Sequence, residues 1–198
     1  MFERHSICAL ILAGGQGSRL GGRDKGLEAW QGRPIIAHQI ERIRPQVGRI
    51  RISANRNLEH YARFGLPVVS DLLADYPGPL AGLHAALAGG DCELLLTLPC
   101  DAPLFPADLA PRLLAALGDG DAAVVAAPQR EPMFALYRAR CFASLDAFLR
   151  AGERRVGGWQ RQLDCRSADF SDQPGAFANL NTPEDWAASS ARPADAKG

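Results

Sequence analysis

The sequence has no surplus of charge: Lys plus Arg and Asp plus Glu both number 22 in 198 residues. Nothing therefore drives non-specific binding to nucleic acid or to an anionic membrane, neither partner is expected, and any basic site must be local. Closely spaced cysteines are also missing. Cys8, Cys92, Cys100, Cys141 and Cys165 form no C-x-x-C pair and are odd in number, which argues against a zinc site or a disulfide framework and for free thiols in a reducing compartment. No apolar run approaches the ~20 residues of a membrane span. A charged-then-apolar leader is absent, and the first strand begins within about six residues of the start, so a cytoplasmic protein is expected. There is no internal repeat and no linker. The length suits one domain with a sizeable core, and a composition of 47% hydrophobic and 22% charged residues is that of an ordinary soluble protein.

Glycine, in contrast, is concentrated in one place. The apolar run Ile7 to Leu12 breaks into a loop, Ala13 to Gly26, holding six glycines, two arginines and one lysine. An apolar run of that length reads as a strand buried on both faces of a parallel sheet. Glycines let a ligand approach backbone N–H groups closely, so the loop reads as a phosphate cradle at the carboxyl end of the first strand.

Further along, Leu27 to Arg33 reads as a short extended piece closed by a turn. Pro34 starts a helix with Ile35, Ile36, Ile40 and Ile43 at helical spacing, and Pro45 ends it. Strands are expected at Arg49 to Ser53, Pro67 to Ser70, Glu93 to Leu98 and Ala122 to Ala127. Between them fall helices around Leu58 to Phe64, Leu80 to Ala88 (stopped by Gly89-Gly90) and Pro106 to Leu117. This alternation argues for a parallel sheet with right-handed crossovers. The second half is less regular. Met133 to Arg138 reads as a strand, Ala139 to Leu149 and Arg154 to Leu163 as helices, and Arg166 to Phe170 and Ala176 to Leu180 as short strands. Thr182 caps a last helix from Pro183 to about Ser189, and residues 191–198 form a disordered tail.

Two common phosphate motifs fail on this loop. The Walker pattern requires Gly-Lys-Ser/Thr, whereas Lys25 stands between Asp24 and Gly26. The dinucleotide pattern begins at Gly15 and Gly17 but meets Leu20 at its third glycine, and no carboxylate closes the strand ending at Ser53. What remains is a long loop carrying Arg19 and Lys25, suited to wrapping a triphosphate with both cations on the departing end. Asp101 directly follows the apolar strand Leu94 to Leu98, and Asp71 also ends a strand, which places both on the rim where open α/β sheets bind ligands. Magnesium takes one or two carboxylates plus phosphate oxygens and water, a role that suits Asp101. Asp24 either binds metal or pairs with Lys25. His5, His38, His60 and His84 form no nucleophile–base constellation, and with Cys100 they are read as structural. The chemistry needs no covalent intermediate: an acceptor phosphate attacks a magnesium-bound triphosphate in line.

These residues assemble into a recognisable pattern. Leu12-Ala13-Gly14-Gly15, Arg19, Gly21-Gly22 and Asp24-Lys25-Gly26 match the opening of a nucleotidyltransferase superfamily. The sharper marks are Ala54-Asn55-Arg56, Leu73 to Gly82, Pro99 to Pro103, Ala151 to Val156 and Asn179 to Pro183. With them the chain resembles the molybdenum cofactor guanylyltransferases over nearly its whole length, from Ile7 to Trp186. The resemblance implies a single-domain, Rossmann-like α/β fold over residues 1–190, with a mostly parallel sheet and helices on both faces. The nucleotide would bind in the half up to about residue 100 and the acceptor in the half from about residue 101. It further implies transfer of GMP from Mg-GTP to the terminal phosphate of molybdopterin cofactor, with release of pyrophosphate.

Carried over by residue, Leu12, Ala13, Gly14 and Gly15 would line the nucleotide pocket with Gly78 and Gly82, and Lys25 would touch the phosphates. Asp71 would hold the nucleoside and Asp101 the magnesium. Ser53 departs from the asparagine of close relatives, which turns attention to Asn55. Arg154, Arg155, Asn179 and Asn181 would suit the pterin phosphate and its polar ring. Transient contact with molybdoenzymes or other cofactor-synthesis proteins accompanies this reading. The rivals are a molybdopterin cytidylyltransferase, another nucleotidyltransferase, and a non-catalytic cofactor carrier.

Overall fold

In the computed structural model, residues 4–13, 24–72, 78–173, 175–180 and 185 are described. The elements run β1 Ile7–Leu12, β2 Ala29–Trp30, β3 Arg33–Pro34, α1 Ile35–Ile43, β4 Arg49–Ser53, α2 Leu58–Ala62, β5 Val68–Val69 and α3 Pro79–Ala88. They continue as β6 Leu94–Pro99, α4 Leu109–Leu117, β7 Ala122–Ala127, β8 Gln129–Arg138, α5 Phe142–Arg150, α6 Val156–Gln160 and β9 Cys165–Asp169. Seven strands make one sheet in the order β5-β4-β1-β6-β8-β7-β9, and β2 pairs with β3 in a small antiparallel ribbon. Among the described residues no helix is long and apolar enough to cross a membrane.

The period-2 pattern of the central strands builds two cores. Ile7, Ala9 and Ile11 of β1, Leu94, Leu96 and Leu98 of β6, and Ala123 and Val125 of β7 face α1, α2 and α4. Cys8 and Leu10, Leu95, and Ala122 and Val124 point the other way, against α3, α5 and α6. Alternating residues of one strand are thus buried on opposite faces, which is why β1 and β6 read as unbroken apolar runs.

The sheet is mixed. β1 pairs in parallel with β4 and β6, β4 with β5, and β7 with β9. β8, however, runs antiparallel between β6 and β7. The strand–helix alternation β6-α4-β7 is still a parallel crossover, since both strands run against β8. The departure from the expectation is that β7 turns back through Pro128 into β8, which inserts between them as a hairpin partner with a register shift at Val124/Val125. The segment 176–180, expected as a strand, is a turn followed by irregular chain. Its apolar residues act as anchors: Phe177 packs edge-on against Phe134 and Phe170, and Leu180 joins Trp30 and Ile35. The expected last helix and tail fall outside the described residues, save for Asp185.

The topology decides what meets at the rim. The carboxyl ends of β1, β4, β5 and β6 lie on one edge, with Leu12 opposite both Ser53 and Pro99 and Ser53 opposite Val69. α3 starts at that edge, since it follows β5 and leads back to the start of β6. β8 descends from the rim and α5 returns toward it, which brings residues 151–155 to the same end. β9 climbs parallel to β7, and the chain beyond it reaches the rim, where Leu180 N–H donates to the Asp101 carbonyl at 2.6 Å.

Candidate active site

Beyond β6 the chain turns at Cys100-Asp101, and its exit from the strand is tied to β1 by the Cys100 N–H donating to the Leu12 carbonyl at 3.2 Å. The Asp101 carboxylate accepts from Lys25 Nζ at 3.2 Å, with side-chain exposures of 20% and 24%. Lys25 of the glycine loop and Asp101 at the end of β6 thus meet across 76 positions of sequence. Cys100 itself stays a thiol: burial, reinforced by the Asp101 and Asp24 carboxylates, pushes it up to about 12. It is no nucleophile at neutral pH.

A second polar pair sits on the same rim, where Asn55 follows β4 and Asp71 follows β5. Asn55 Nδ2 donates to Asp71 Oδ2 at 2.8 Å, and the Asp71 N–H donates to Asn55 Oδ1 at 2.9 Å. Burial raises the Asp71 carboxyl above its ordinary value, against the pull of the Asn55 amide. Asp71 and Asp101 are separated by three strand spacings, about 14 Å at ~4.8 Å each, too far for one ion to take both.

Between these pairs the floor is tightly packed. Ser53 is 3% exposed and its carbonyl accepts from the Ala13 N–H at 2.8 Å, fixing the start of the glycine loop. Gly82 of α3 lies directly against it. A Cβ at 82 would overlap Ser53 Oγ and stand 3.1 Å from Ser53 Cβ and 3.3 Å from Leu12 Cδ2. Only glycine lets α3 approach the strand ends this closely. Gly78 precedes the helix with φ +141°, a backbone conformation that side chains avoid.

The far end of the glycine loop is held by residues that sequence reading did not find. Asp24, 7% exposed, accepts from Tyr61 Oη at 2.5 Å and Asn57 Nδ2 at 2.9 Å, and pairs with Arg56 at 3.8 Å. Tyr61 is fully buried, and a Cβ on Gly26 would fall 2.7 Å from its Oη. Asp24 is thereby committed to α2 and the turn before it, which anchors the neighbouring Lys25. The one available signal was the polar run Asn55 to Asn57 directly after a strand, a common place for a functional loop.

Of the other expected residues, Gly14, Gly15, Arg19 and Asn181 lie outside the described residues. Arg154 donates to the Leu149 carbonyl at 3.3 Å and the Glu153 carbonyl at 2.8 Å, capping the end of α5. Arg155 and Asn179 are exposed, and the chain path puts all three at the rim end of the sheet. His84 is buried between α3 and α5 with Nε2 3.0 Å from Asp146, far down the helix from the rim.

No group of three or more His, Cys, Asp or Glu side chains able to hold a metal occurs among the described residues. Among the described residues the rim instead offers a cation the Asp101 carboxylate with the Lys25 ammonium beside it, Asp71 lying about 14 Å away at three strand spacings. Such a set suits magnesium drawing its remaining ligands from phosphates and water, and it does not suit zinc.

Comparison with known proteins identifies the family. Residues 9–165 match the family described as the MobA-like NTP transferase domain. The molybdenum cofactor guanylyltransferase of Shewanella halifaxensis (strain HAW-EB4) is 50% identical over 181 residues, covering 90% of both chains. That of Acidovorax sp. (strain JS42) is 47% identical over 199 residues, covering 92% of this chain and 94% of its own. Among solved structures, molybdopterin-guanine dinucleotide biosynthesis protein A from Archaeoglobus fulgidus superposes with a TM-score of 0.77 at 21% identity, over 92% of this chain and 96% of that one. The 4-diphosphocytidyl-2C-methyl-D-erythritol synthase of Anaerococcus prevotii DSM 20548 gives 0.74 at 13% identity, over 96% and 98%. At these identities the structural likeness speaks for the fold.

Proposed function

From the premise that this chain belongs to the MobA-like NTP transferases, and among them to the molybdenum cofactor guanylyltransferases, we propose that it transfers GMP from GTP to the terminal phosphate of molybdopterin cofactor. It is a nucleotidyltransferase. The acceptor phosphate attacks the α-phosphorus in line and pyrophosphate leaves. The observation that carries this reading is the Lys25–Asp101 pair on the rim, beside the backbone exit of β1 at Ala13.

Each residue has a task. The backbone beyond Leu12 and Ala13 cradles the phosphates, and Lys25 and Arg19 oppose the charge that grows on the departing pyrophosphate. Asp71, fixed by Asn55, receives polar groups of the nucleoside. Arg154 and Arg155 supply positive charge at the rim for the acceptor's phosphate, with Asn179 and Asn181 for its polar ring. Asp101 would hold magnesium, which when bound neutralises triphosphate charge and acts as a Lewis acid. Lys25 bonds the Asp101 carboxylate through one of the three N–H donors of its ammonium, and an arriving triphosphate would compete with that carboxylate for its charge. Residues 1–190 act as one unit, with the nucleotide toward the first half and the acceptor toward the second. The rival reading is a molybdopterin cytidylyltransferase, and base preference decides between the two.

The test is purified protein with magnesium, GTP and molybdopterin cofactor, read by formation of the guanine dinucleotide and pyrophosphate. Chelation should stop turnover. Asp101→Ala should abolish it with the thermal midpoint retained, and Lys25→Ala should weaken GTP use. GMP transfer at the wild-type rate by Asp101→Ala would overturn the assignment of that carboxylate, and clear preference for CTP would remove the guanylyl reading.

A further inference from the structure

At the end of the sheet opposite the rim, β4 is only half covered on its outer side. Its ladder to β5 begins at Ile52, which faces Val68, and among the described residues no strand lies beyond Arg49 to Arg51. Hydrogen-bonding direction alternates along β4. Ile52 and Ala54 donate outward, to the Pro67 and Val69 carbonyls at 3.0 Å each, while Arg49, Arg51 and Ser53 serve β1. Ile50 therefore also presents its N–H and C=O outward.

Two features of the neighbouring chain leave that pair of groups unmet. The residue whose N–H would reach the Ile50 carbonyl is Pro67, which has none. The residue whose carbonyl would meet the Ile50 N–H is Gly65. There the chain is still in the turn that follows α2, with φ +68° and its own N–H given to the Ala62 carbonyl at 3.0 Å. Where a strand would run, a cavity of about 340 Å³ opens instead, and its lining includes Ile50, Leu66, Pro67, Arg44, Arg49 and Arg51.

Charge flanks this gap on both faces of the sheet. Ile50 and Ile52 are buried in the core under α1, so Arg49 and Arg51, which alternate with them, project on the α3 side. Both guanidiniums bond the Asp91 side chain there, and Arg49 Nη1 also donates to the Asp91 carbonyl at 2.9 Å. Arg44 is exposed on the other side, in the turn after α1, between the core residues Ile43 and Val47. Three guanidiniums face one carboxylate, Asp91, so the cavity is net positive.

We propose that this gap is a docking site for an acidic, extended segment of a partner protein. The segment adds a short strand beside Ile50, in line with β5, and exchanges backbone hydrogen bonds with the Ile50 N–H and C=O. Its carboxylates meet Arg44 on one face and Arg49 or Arg51 on the other. In strand addition of this kind main-chain bonds supply affinity and side chains choose the partner. Successive side chains of a strand point to opposite faces, and an arginine stands on each, so acid suits neighbouring positions of the guest. A small anion would take the arginines and leave the Ile50 pair unmet. The gap is at the far end of the sheet from Lys25 and Asp101, so a partner held there leaves the rim open.

The test uses the whole protein with the capped pentapeptide acetyl-Glu-Val-Glu-Val-Glu-amide as probe, read by calorimetric titration and by hydrogen exchange at the Ile50 amide. Saturable binding is expected, with that amide exchanging about tenfold more slowly in the complex. The Lys-Val-Lys-Val-Lys counterpart should not bind. Arg44→Glu and Arg49→Glu should each weaken binding about tenfold with the thermal midpoint retained. Should either variant fail to fold, the wild type still decides: a probe methylated on every backbone nitrogen keeps its carboxylates but cannot donate to the Ile50 carbonyl, and it should not bind. Equal affinity for the methylated probe, or displacement of the acidic probe by an equal concentration of inorganic phosphate, marks a simple anion site and overturns the proposal. Absence of binding, or an Ile50 amide that stays unprotected, overturns it as well.

Discussion

Replacing Gly82 with alanine sets two physical effects against each other. Helix propensity alone favours the change, since alanine inside a helix is better than glycine by about 1 kcal/mol. Packing opposes it, because the new methyl would overlap Ser53 Oγ and press on Ser53 Cβ and Leu12 Cδ2. Those atoms belong to β4 and β1, which are fixed by their ladder, and Ser53 is buried, so neither can swing clear. Forcing a methylene into such a site costs about 1–3 kcal/mol. The expected net result is a loss of about 1 kcal/mol, read as a fall of about 2–4 °C in thermal midpoint for a chain of this length.

The collision names its own rescue. Ser53→Ala removes the oxygen that the methyl overlaps, so the double variant should be more stable than the sum of the single changes by about 1 kcal/mol. The assay is urea and thermal unfolding of all four proteins, with KM for GTP measured in parallel. KM should rise in Gly82→Ala, because displacing Ser53 disturbs its carbonyl contact with the Ala13 N–H. Stabilisation by Gly82→Ala, or strictly additive effects in the cycle, would refute the argument.

Other outcomes follow from the same geometry. Tyr61→Phe keeps the ring but removes the Oη donor to buried Asp24, with an expected loss of about 1–3 kcal/mol by denaturant unfolding and a higher KM for GTP through the neighbouring Lys25. Gly26→Ala should be more damaging in the wild type than in Tyr61→Phe, where the Oη it would meet at 2.7 Å is gone. Asp71 supplies a pH test. Its carboxyl is raised in the folded protein, so the folded state holds more protons than the unfolded one in the window between the ordinary value, about 3.9, and the raised one. Stability should therefore gain from this group as pH falls through that window. Asp71→Asn should lack the gain, and identical profiles of thermal midpoint against pH would contradict the assigned burial.

Much of this fold could be read from the chain because its central strands are buried on both faces. Ile7–Leu12 and Leu94–Pro99 announce themselves by apolar run alone, and Ala122–Ala127 was bounded correctly by its turns. Parallel pairing was legible where strands alternate with helices, as in β1, β4, β5 and β6. The antiparallel insertion of β8 was not, since an apolar period carries no record of which way a hairpin partner runs. The first half of β8 was missed because Gln129-Arg130-Glu131-Pro132 is polar and holds a proline, acceptable there only because the ladder shifts register beside it. Segment 176–180 misled in the opposite sense, its apolar residues being single anchors under a turn.

The site divided in the same way. Asp101 and Lys25 were legible because an acid at the end of a buried strand and a cation in a glycine loop each have a local signature. The hold on Asp24 has only the polar run after β4 as a signal, and its target is hidden, since Arg56, Asn57 and Tyr61 meet a carboxylate more than 30 positions earlier. That polar stretch after β4 works on two sides at once: Asn55 fixes Asp71 on one flank, while Arg56, Asn57 and Tyr61 fix Asp24 and the stem of Lys25 on the other. A rigid-body shift of the turn after β4 would therefore move the nucleoside contact and the phosphate contact together, so substitutions there should change GTP affinity and turnover jointly, whereas changes at Asp71 or Lys25 alone should separate them.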